Sequence, residues 1–288
     1  MAEADPVTGP GSNAGTPVAA NNLALRVASA AVLAPLALLT AYLGGWPFVL
    51  LWTLAAVAIL WEWTTLVAGP NHRLMFSACG SAIVGAGLVV WLGRPIAAML
   101  LIGLGALAAL IFAPRERRLW ITAGIGYSGS MLLAPALLRT DEKDGFLAMV
   151  LLFAIVWTTD VLGYFAGRAF GGPKLLPAVS PKKTWSGAVA GALGAVIVAV
   201  LLAGVFGSFS RIAIALVALM LSVVAQLGDL MESWIKRKFG AKDAGTLIPG
   251  HGGVMDRLDG FWAAALLGCL IGLARGGFDG AARGLLVW

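Results

Sequence analysis

Residues Gln226 to Asp259 read QLGDLMESWIKRKFGAKDAGTLIPGHGGVMDRLD, and this stretch joins two apolar runs, Ile212–Ile235 and Val254–Ala274. Each run is close to the ~20 residues that cross a hydrocarbon core as a helix. The stretch carries five acidic residues, five basic residues and one histidine in an otherwise apolar chain. The pattern predicts two membrane helices with a polar, chemically active region at their shared end.

The composition places the whole chain in the membrane class. Of the 288 residues, 60% are hydrophobic and 12% are charged, and the mean hydropathy is +0.91. A soluble domain carries about a quarter charged residues. The net charge of +6 suits an anionic membrane surface or an anionic ligand. No basic soluble domain is visible, which argues against nucleic acid as a partner. Cys79 and Cys269 lie in apolar segments and make neither a disulfide framework nor a metal site.

Nine apolar segments predict an all-α, polytopic integral membrane protein, because backbone groups in lipid must be hydrogen-bonded within each segment. We expect a disordered tail over residues 1–22, N-terminal transmembrane helices over 23–145 and a C-terminal transmembrane region with the candidate site over 146–288. The predicted spans are Leu25–Leu43, Pro47–Val67, Leu74–Leu92, Pro95–Phe112, Leu119–Leu138, Phe146–Phe165, Trp185–Phe206, Ile212–Ile235 and Val254–Ala274. Small residues at Gly187 and Gly191 predict close helix packing.

The distribution of basic residues predicts the orientation. Fourteen of the 20 lysines and arginines fall on one side of the predicted spans and six on the other. Since basic loops stay in the cytoplasm, we expect a cytoplasmic N-terminus. The polar loops Arg168–Thr184 and Lys236–Gly253 then lie on the same, cytoplasmic side, where they can form one site.

Four polar residues form a stripe near the end of the eighth predicted helix. Asp229, Glu232, Ser233 and Lys236 are spaced so that they share one face. Carboxylates at membrane depth are costly and are usually functional. Two acids one turn apart can present oxygens to a hard divalent ion such as Mg²⁺. The alternative is a structural ion pair with Lys236 or Arg257.

The loop Phe239–Gly253 is rich in glycine, which lets backbone N–H groups approach phosphate oxygens. Lys242, His251 and Arg257 add positive charge to this loop or to the helix after it. Because the loop lies between two acids, Asp229 and Asp256, it is a better candidate than an isolated glycine-rich loop.

Four further features bear on the site. Asp256 and Asp259 open the ninth predicted helix, where helix capping is the alternative to a site role. Ser180-Pro-Lys-Lys-Thr184 brings two lysines to the start of the seventh helix, as an anion site or as an ordinary basic loop. Asp160 lies inside an apolar run, which favours a role. Glu62, between two tryptophans, is equally compatible with structural pairing and with a site role.

These residues resemble a known signature. Ser233-Trp-Ile-Lys-Arg, followed after four residues by Lys242-Asp243-Ala-Gly and by Ile248-Pro-Gly-His-Gly-Gly-Val-Met-Asp-Arg-Leu-Asp259, is similar to the signature of the phosphatidate cytidylyltransferase, or CDP-diacylglycerol synthase, family. Gln226-Leu-Gly-Asp229 and Ser180-Pro-Lys-Lys-Thr184 also resemble family motifs. One position departs from the pattern, since Ser186 stands where the family usually has Glu. The resemblance covers roughly the second half of the chain.

The resemblance implies transfer of CMP from CTP to phosphatidate, with CDP-diacylglycerol and pyrophosphate as products. It implies an all-helical fold, a Mg²⁺ ion with a second metal ion as an option, and a multi-pass protein of a bacterial-type inner membrane with its site facing the cytoplasm. The expected partners are CTP, phosphatidate and membrane lipid, with a homodimer as one option for the assembly. The expected metal ligands are Asp229, Asp256 and Glu232. The expected catalytic residues are Asp229, Asp256, Lys242, Asp243, Arg257 and Lys236. The expected substrate-binding residues are Ser180, Lys182, Lys183, Thr184, Arg237, His251, Gly252 and Gly253.

Two rival functions use the same residues. A transporter would bind a coupling cation at intramembrane acids and would need access from both sides. The acids gather toward one face and no inverted repeat is visible, which argues against it. A lipid-alcohol or polyprenol kinase would instead transfer a γ-phosphoryl group and release no pyrophosphate.

Overall fold

Helices dominate the computed structural model, which describes residues 17–69, 72–207, 210–248 and 252–288. The helices are α1 Pro17–Leu43, α2 Gly45–Val67, α3 His72–Trp91, α4 Pro95–Phe112, α5 Arg118–Arg139, α6 Gly145–Phe170, α7 Trp185–Phe206, α8 Arg211–Lys238, α9 Met255–Gly276 and α10 Ala281–Leu286. Two short strands, β1 Lys174–Leu176 and β2 Ser180–Thr184, lie between α6 and α7. The all-α membrane class is therefore confirmed.

Eight helices of the described part of the chain, α2 to α9, are long and apolar enough to cross a membrane. Helix α1 matches the first predicted span, and its described side chains form a shorter apolar segment, Ala31–Leu43. It begins at Pro17, so the predicted disordered tail overlaps helix over residues 17–22, and residues 1–16 lie outside the described part. The cytoplasmic position of the N-terminus stays a prediction.

The loop between α6 and α7 contains an antiparallel hairpin that the sequence did not predict. Lys174 pairs with Thr184 and Leu176 pairs with Ser180, with an irregularity between the two pairs. Thr184 ends β2 and caps α7, since its Oγ1 accepts a hydrogen bond from Gly187 N at 3.2 Å. The hairpin thereby fixes the lysines of β2 to the first turn of α7.

Glycines bring α6 and α7 into backbone contact. A Cβ atom added at Gly187 would lie 2.4 Å from Gly163 O, and one added at Gly191 would lie 2.6 Å from Thr159 O. No side chain fits in such a gap. The close packing predicted for Gly187 and Gly191 is confirmed, and it holds the hairpin end of α7 against α6.

Helices α8 and α9 approach each other in the same way, next to the acidic residues. A Cβ atom at Gly228 would lie 2.7 Å from Asp259 O. The first half of the chain packs on the second, because Trp52 of α2 stacks on Phe261 of α9 with centroids 4.9 Å apart, and Tyr127 of α5 stacks on Trp262 at 4.1 Å. The start of α9 is therefore packed between α2, α5 and α8.

Candidate functional site

The predicted polar stripe lies on one face of α8, close to the end of the helix. Ser233 Oγ donates a hydrogen bond to Asp229 Oδ1 over 3.4 Å. Asp229 is at the rim, with its side chain 29% exposed, whereas Glu232 is fully buried. The stripe therefore runs from a solvent-accessible acid to a buried one within a single turn.

Lys236 joins two carboxylates. Its Nζ lies 2.6 Å from Glu232 Oε2 and 2.5 Å from Asp256 Oδ1. The structure thus contains the ion pair between Glu232 and Lys236 that the helical spacing allowed, and it adds Asp256 of α9 to that pair. The second oxygen of Glu232, Oε1, is buried and accepts no hydrogen bond from the described residues. Glu232 therefore keeps an unused acceptor within the protein.

Asp256 organises the glycine-rich loop. Its Oδ2 accepts hydrogen bonds from Ala244 N and Gly253 N, both at 2.9 Å. Gly252 has φ +86°, a left-handed conformation that favours glycine, and pairs with Ile248 in an isolated bridge. The described parts of the loop on the two sides of residues 249–251 are therefore both tied to the Asp256 carboxylate. Both oxygens of Asp256 are engaged, since Oδ1 accepts from Lys236.

Glu62 of α2 lies in the same region. It is 1% exposed, and its carboxylate accepts hydrogen bonds from Val254 N at 2.9 Å and Met255 N at 2.8 Å. The sequence left this residue open between pairing and a site role. The partners are backbone groups 192 and 193 residues away, so no side-chain pattern could have revealed them.

The hairpin and α8 meet at an ion pair between Lys183 Nζ and Asp229 Oδ2. The basic segment and the acidic stripe, which the sequence assigned to one site, are thus in contact. Asp229 and Asp256 take different cations, since Asp229 pairs with Lys183 and Asp256 pairs with Lys236. The two acids therefore do not share a single ammonium group, and Asp256 is linked to the α8 stripe through Lys236.

Two acids outside the predicted metal set belong to this region. The Asp259 carboxylate interacts electrostatically with those of Asp229, Glu232 and Asp160. Asp160 of α6 interacts with Asp229 and, with opposite charge, with Lys183. Asp259 also accepts a hydrogen bond from Gly260 N at 2.7 Å. Three helices, α6, α8 and α9, therefore contribute carboxylates to one electrostatic cluster.

A cleft of about 560 Å³ lies beside this cluster, between α6, the hairpin, α7 and the α8 residue Gln226. A cavity of this size suits a small-molecule ligand. The charged residues that line it are Asp160, Arg168, Lys174, Lys182 and Lys183. With four basic residues and one acid, the cleft favours an anionic ligand.

Ser186, where the resemblance leads one to expect Glu, has structural partners. Its hydroxyl lies 3.0 Å from Thr184 Oγ1 and donates a hydrogen bond to Gly171 O, just after α6. The serine therefore ties the end of α6 to the start of α7, next to the basic cleft.

The remaining predicted residues take several positions. Arg237, in the last turn of α8, donates to Ala241 O of the following loop at 3.2 Å. Lys242 and Asp243 are exposed on that loop. Arg257 interacts with Asp160. His251 lies outside the described residues, and within the described ranges no three acidic, histidine or cysteine residues converge closely enough to hold a metal ion by themselves.

Comparisons with known proteins match almost the whole chain. The family model described as "Cytidylyltransferase family" matches residues 24–272, which include every candidate site residue. A phosphatidate cytidylyltransferase of Brucella abortus is 43% identical over 255 residues, covering 88% of this chain and 94% of the relative. A protein of the same name from Haemophilus influenzae is 35% identical over 280 residues, covering 83% and 94%. One from Rickettsia bellii is 35% identical over 180 residues, covering 59% and 77%.

Proposed function

This chain belongs to the cytidylyltransferase family, and on that premise we propose that it is an enzyme that transfers CMP from CTP to phosphatidate. The products are CDP-diacylglycerol and pyrophosphate, as the transfer of CMP from CTP to phosphatidate requires. The observation that carries the proposal is the ion pair between Lys183 and Asp229. It joins a basic cleft, suited to phosphates, to a carboxylate-rich helix end, suited to a divalent cation.

The chemistry requires two polyanions to meet. A phosphate oxygen of phosphatidate forms a bond to the α-phosphorus of CTP. The bond from that phosphorus to the oxygen bridging the β-phosphate breaks, and pyrophosphate leaves with the bonding electrons. The attacking phosphate is already ionised at neutral pH, so no strong general base is needed. Catalysis therefore depends on positioning and on neutralising charge.

The basic cleft supplies part of that neutralisation. Lys182 and Lys183 of β2, with Lys174 of β1 and Arg168 of α6, surround one space. Lysine and arginine clamp phosphoryl oxygens during such transfers. We assign phosphate binding to this cleft, with Ser180 and Thr184 as the ends of the strand that presents the lysines.

The glycine-rich loop supplies the second set of contacts. Gly252 and Gly253 place backbone groups close to the Asp256 carboxylate, and Lys242 with Asp243 lies exposed on the same loop. Backbone N–H groups of such loops bind phosphate oxygens. We assign these backbone groups to binding the nucleotide and the departing pyrophosphate. The side chains assigned to the same task are those of Arg237, Lys236, His251 and Arg257.

A divalent cation fits the donor set at the end of α8. Mg²⁺ usually takes one or two carboxylates, with waters and substrate phosphates as its other ligands. One or two carboxylates among Asp229, Glu232 and Asp256 would hold it together with substrate phosphates, and the unused acceptor of Glu232 supports this choice. The ion would neutralise phosphate charge and polarise the phosphoryl group. A second ion stays a prediction.

The expected setting is a bacterial inner membrane, with the site at the cytoplasmic face, as the excess of basic residues on one side supports. CTP arrives from water, whereas phosphatidate remains in the leaflet. A homodimer stays a prediction, which the mass of the detergent-solubilised protein would check.

The first test is conversion of phosphatidate by the purified protein in mixed micelles, with and without a chelator. The proposal expects CTP-dependent formation of CDP-diacylglycerol that stops when divalent ions are removed. Conversion that continues under chelation would remove the metal assignment alone. Substrate-driven flux into liposomes in the absence of CTP, with no lipid product, would favour the transporter instead.

A further inference from the structure

Glu62 connects α2 to the start of α9. Each oxygen of its carboxylate accepts one backbone N–H, Oε1 from Val254 and Oε2 from Met255. The first N–H groups of a helix have no partner within the helix and need one from elsewhere. Val254, the residue that precedes α9, makes no side-chain cap of its own. A carboxylate from a distant helix therefore caps α9.

The glycine-rich loop leaves no room beside this carboxylate. A Cβ atom added at Gly245 would lie 2.7 Å from Glu62 Oε1, and one added at Gly253 would lie 2.7 Å from Glu62 Oε2. Both distances are too short for two non-bonded atoms. The loop thus packs directly on Glu62 at two points, and the glycines at those points are required by the acid.

A second acid, Asp256, also holds the same loop. Asp256 follows Met255 directly, and its carboxylate accepts hydrogen bonds from Ala244 N and Gly253 N. Asp256 in turn pairs with Lys236. A shift of the α9 start away from Glu62 would therefore move Asp256, the loop amides and the Lys236 contact together.

We propose that Glu62 is a positioning residue, whose carboxylate sets the glycine-rich loop and Asp256 in the geometry that binds the phosphates of the nucleotide. The inference rests on the proposed function for the identity of that nucleotide as CTP. The proposal adds Glu62, a residue of the first half of the chain, to a site whose sequence signature lies entirely in the second half. Glu62 itself does not contact substrate and acts through Val254 and Met255.

The carboxylate is specifically suited to this role. Both of its oxygens are acceptors, so it satisfies two N–H groups at once, and the helix N-terminus favours its negative charge. A glutamine retains one acceptor and turns its NH₂ group toward the other N–H. Glu62→Gln therefore removes one hydrogen bond to a charged group and introduces a donor facing a donor.

The test compares Glu62→Gln with Thr64→Val in the full-length protein. Thr64 is a matched control, because it is also buried on α2 but its hydroxyl donates to Leu60 O within the helix. Hydrogen exchange at the amides of Val254 and Met255 should rise about tenfold or more in Glu62→Gln. The KM for CTP should rise by a similar factor, while the KM for phosphatidate stays within about twofold. Thr64→Val should change neither quantity.

Unchanged exchange at Val254 and Met255, or equal rises in both KM values, would overturn the inference. If Glu62→Gln does not fold, a second comparison tests the inference: Gly253→Ala alone against the double variant Glu62→Asp with Gly253→Ala. The alanine methyl group collides with Glu62, and the shorter aspartate makes room for it. The double variant should therefore bind CTP better than Gly253→Ala alone, and additive losses would contradict direct packing.

If the wild-type protein does not use CTP at all, the proposed function fails, and the exchange result still decides whether Glu62 holds the loop.

Discussion

Lys183 of β2 pairs with Asp229 of α8. Asp229 lies toward the end of α8 that is proposed to face the cytoplasm. Each side chain is 29% exposed, so the pair lies at the edge of the basic cleft and is accessible to a ligand. Under the proposed function, an incoming phosphate would compete with Asp229 for the lysine, and an incoming divalent cation would compete with Lys183 for the acid. The pair therefore occupies the position where nucleotide and metal ion are proposed to meet.

The first prediction concerns the two lysines of β2. Lys183→Met should lower kcat/KM about 100-fold, because it removes a positive charge next to the reacting phosphates. Lys182→Met should have a smaller effect, because both lysines line the cleft but, of the two, Lys183 is the one that pairs with Asp229. Steady-state kinetics in mixed micelles measures both. An equal or larger loss for Lys182→Met would contradict the assignment.

The second prediction concerns the bridge made by Lys236. Its side chain is 11% exposed, and those of Glu232 and Asp256 are 1% and 7% exposed. Removing one partner from a buried ionic group costs about 3–5 kcal/mol. Lys236→Met should therefore lower the melting temperature in detergent strongly, and adding Glu232→Gln should restore part of the loss. The melting temperature should fall less in Lys238→Met, whose ammonium lies over Trp120 at 4.7 Å near the surface. A double variant as unstable as Lys236→Met alone would argue against the buried pair.

The third prediction concerns the metal ion. Asp229→Asn should raise the Mg²⁺ concentration required for half-maximal rate at least about tenfold, because a carboxylate ligand is replaced by a neutral one. Asp279→Asn is the control, since Asp279 is exposed and lines a separate cavity of about 1130 Å³ with Arg275 and Arg283. Identical Mg²⁺ titration curves for wild type and Asp229→Asn would exclude Asp229 as a ligand.

The fourth prediction tests the contact between α6 and α7. Gly187→Ala places a methyl group 2.4 Å from Gly163 O, so the two helices must separate. Overpacking of this kind costs about 1–3 kcal/mol, and it should also displace the hairpin lysines and reduce activity. Gly204→Ala in the same helix meets nothing within 4 Å and should keep both stability and activity. Equal melting temperatures for the two variants would contradict the proposed packing.

The membrane helices were predictable because the bilayer sets their length. The runs Pro95–Phe112 and Trp185–Phe206 were predicted with the bounds that the structure has. Helix α8 continues to Lys238, three residues past the predicted end, because its last turn carries Lys236, Arg237 and Lys238, which favour a helix C-terminus. Hydropathy ends a segment where charge begins, whereas the helix continues through the charged turn to Lys238.

The hairpin was not predictable from local pattern. Its second strand, Ser180–Thr184, contains proline and two lysines, which are uncommon in strands. Pairing with Lys174–Leu176 and the cap by Thr184 on α7 stabilise it. These contacts depend on where α6 ends and α7 begins, which the sequence of the strand does not contain.

The contacts of the candidate site likewise fall into those that the sequence predicts and those that it does not. The pair of Glu232 with Lys236 follows from helical spacing and could be anticipated. Glu62 accepts hydrogen bonds from backbone N–H groups at the start of α9, and Asp256 accepts them from the glycine-rich loop. Backbone groups leave no residue-specific trace in the sequence. The sequence favoured neither helix capping nor a site role for Asp259. Its interaction with Asp229 depends on the packing of α8 on α9, which the sequence pattern does not contain.

The most direct measurement follows two labels in CTP incubated with phosphatidate, Mg²⁺ and the purified protein. One sample carries the label on the α-phosphate and the other on the γ-phosphate. Cytidylyl transfer predicts that the α-label appears in the lipid, that the γ-label appears in pyrophosphate, and that lipid product and pyrophosphate form in equal amounts. A γ-label in the lipid, or no label in the lipid from either sample, would contradict the account.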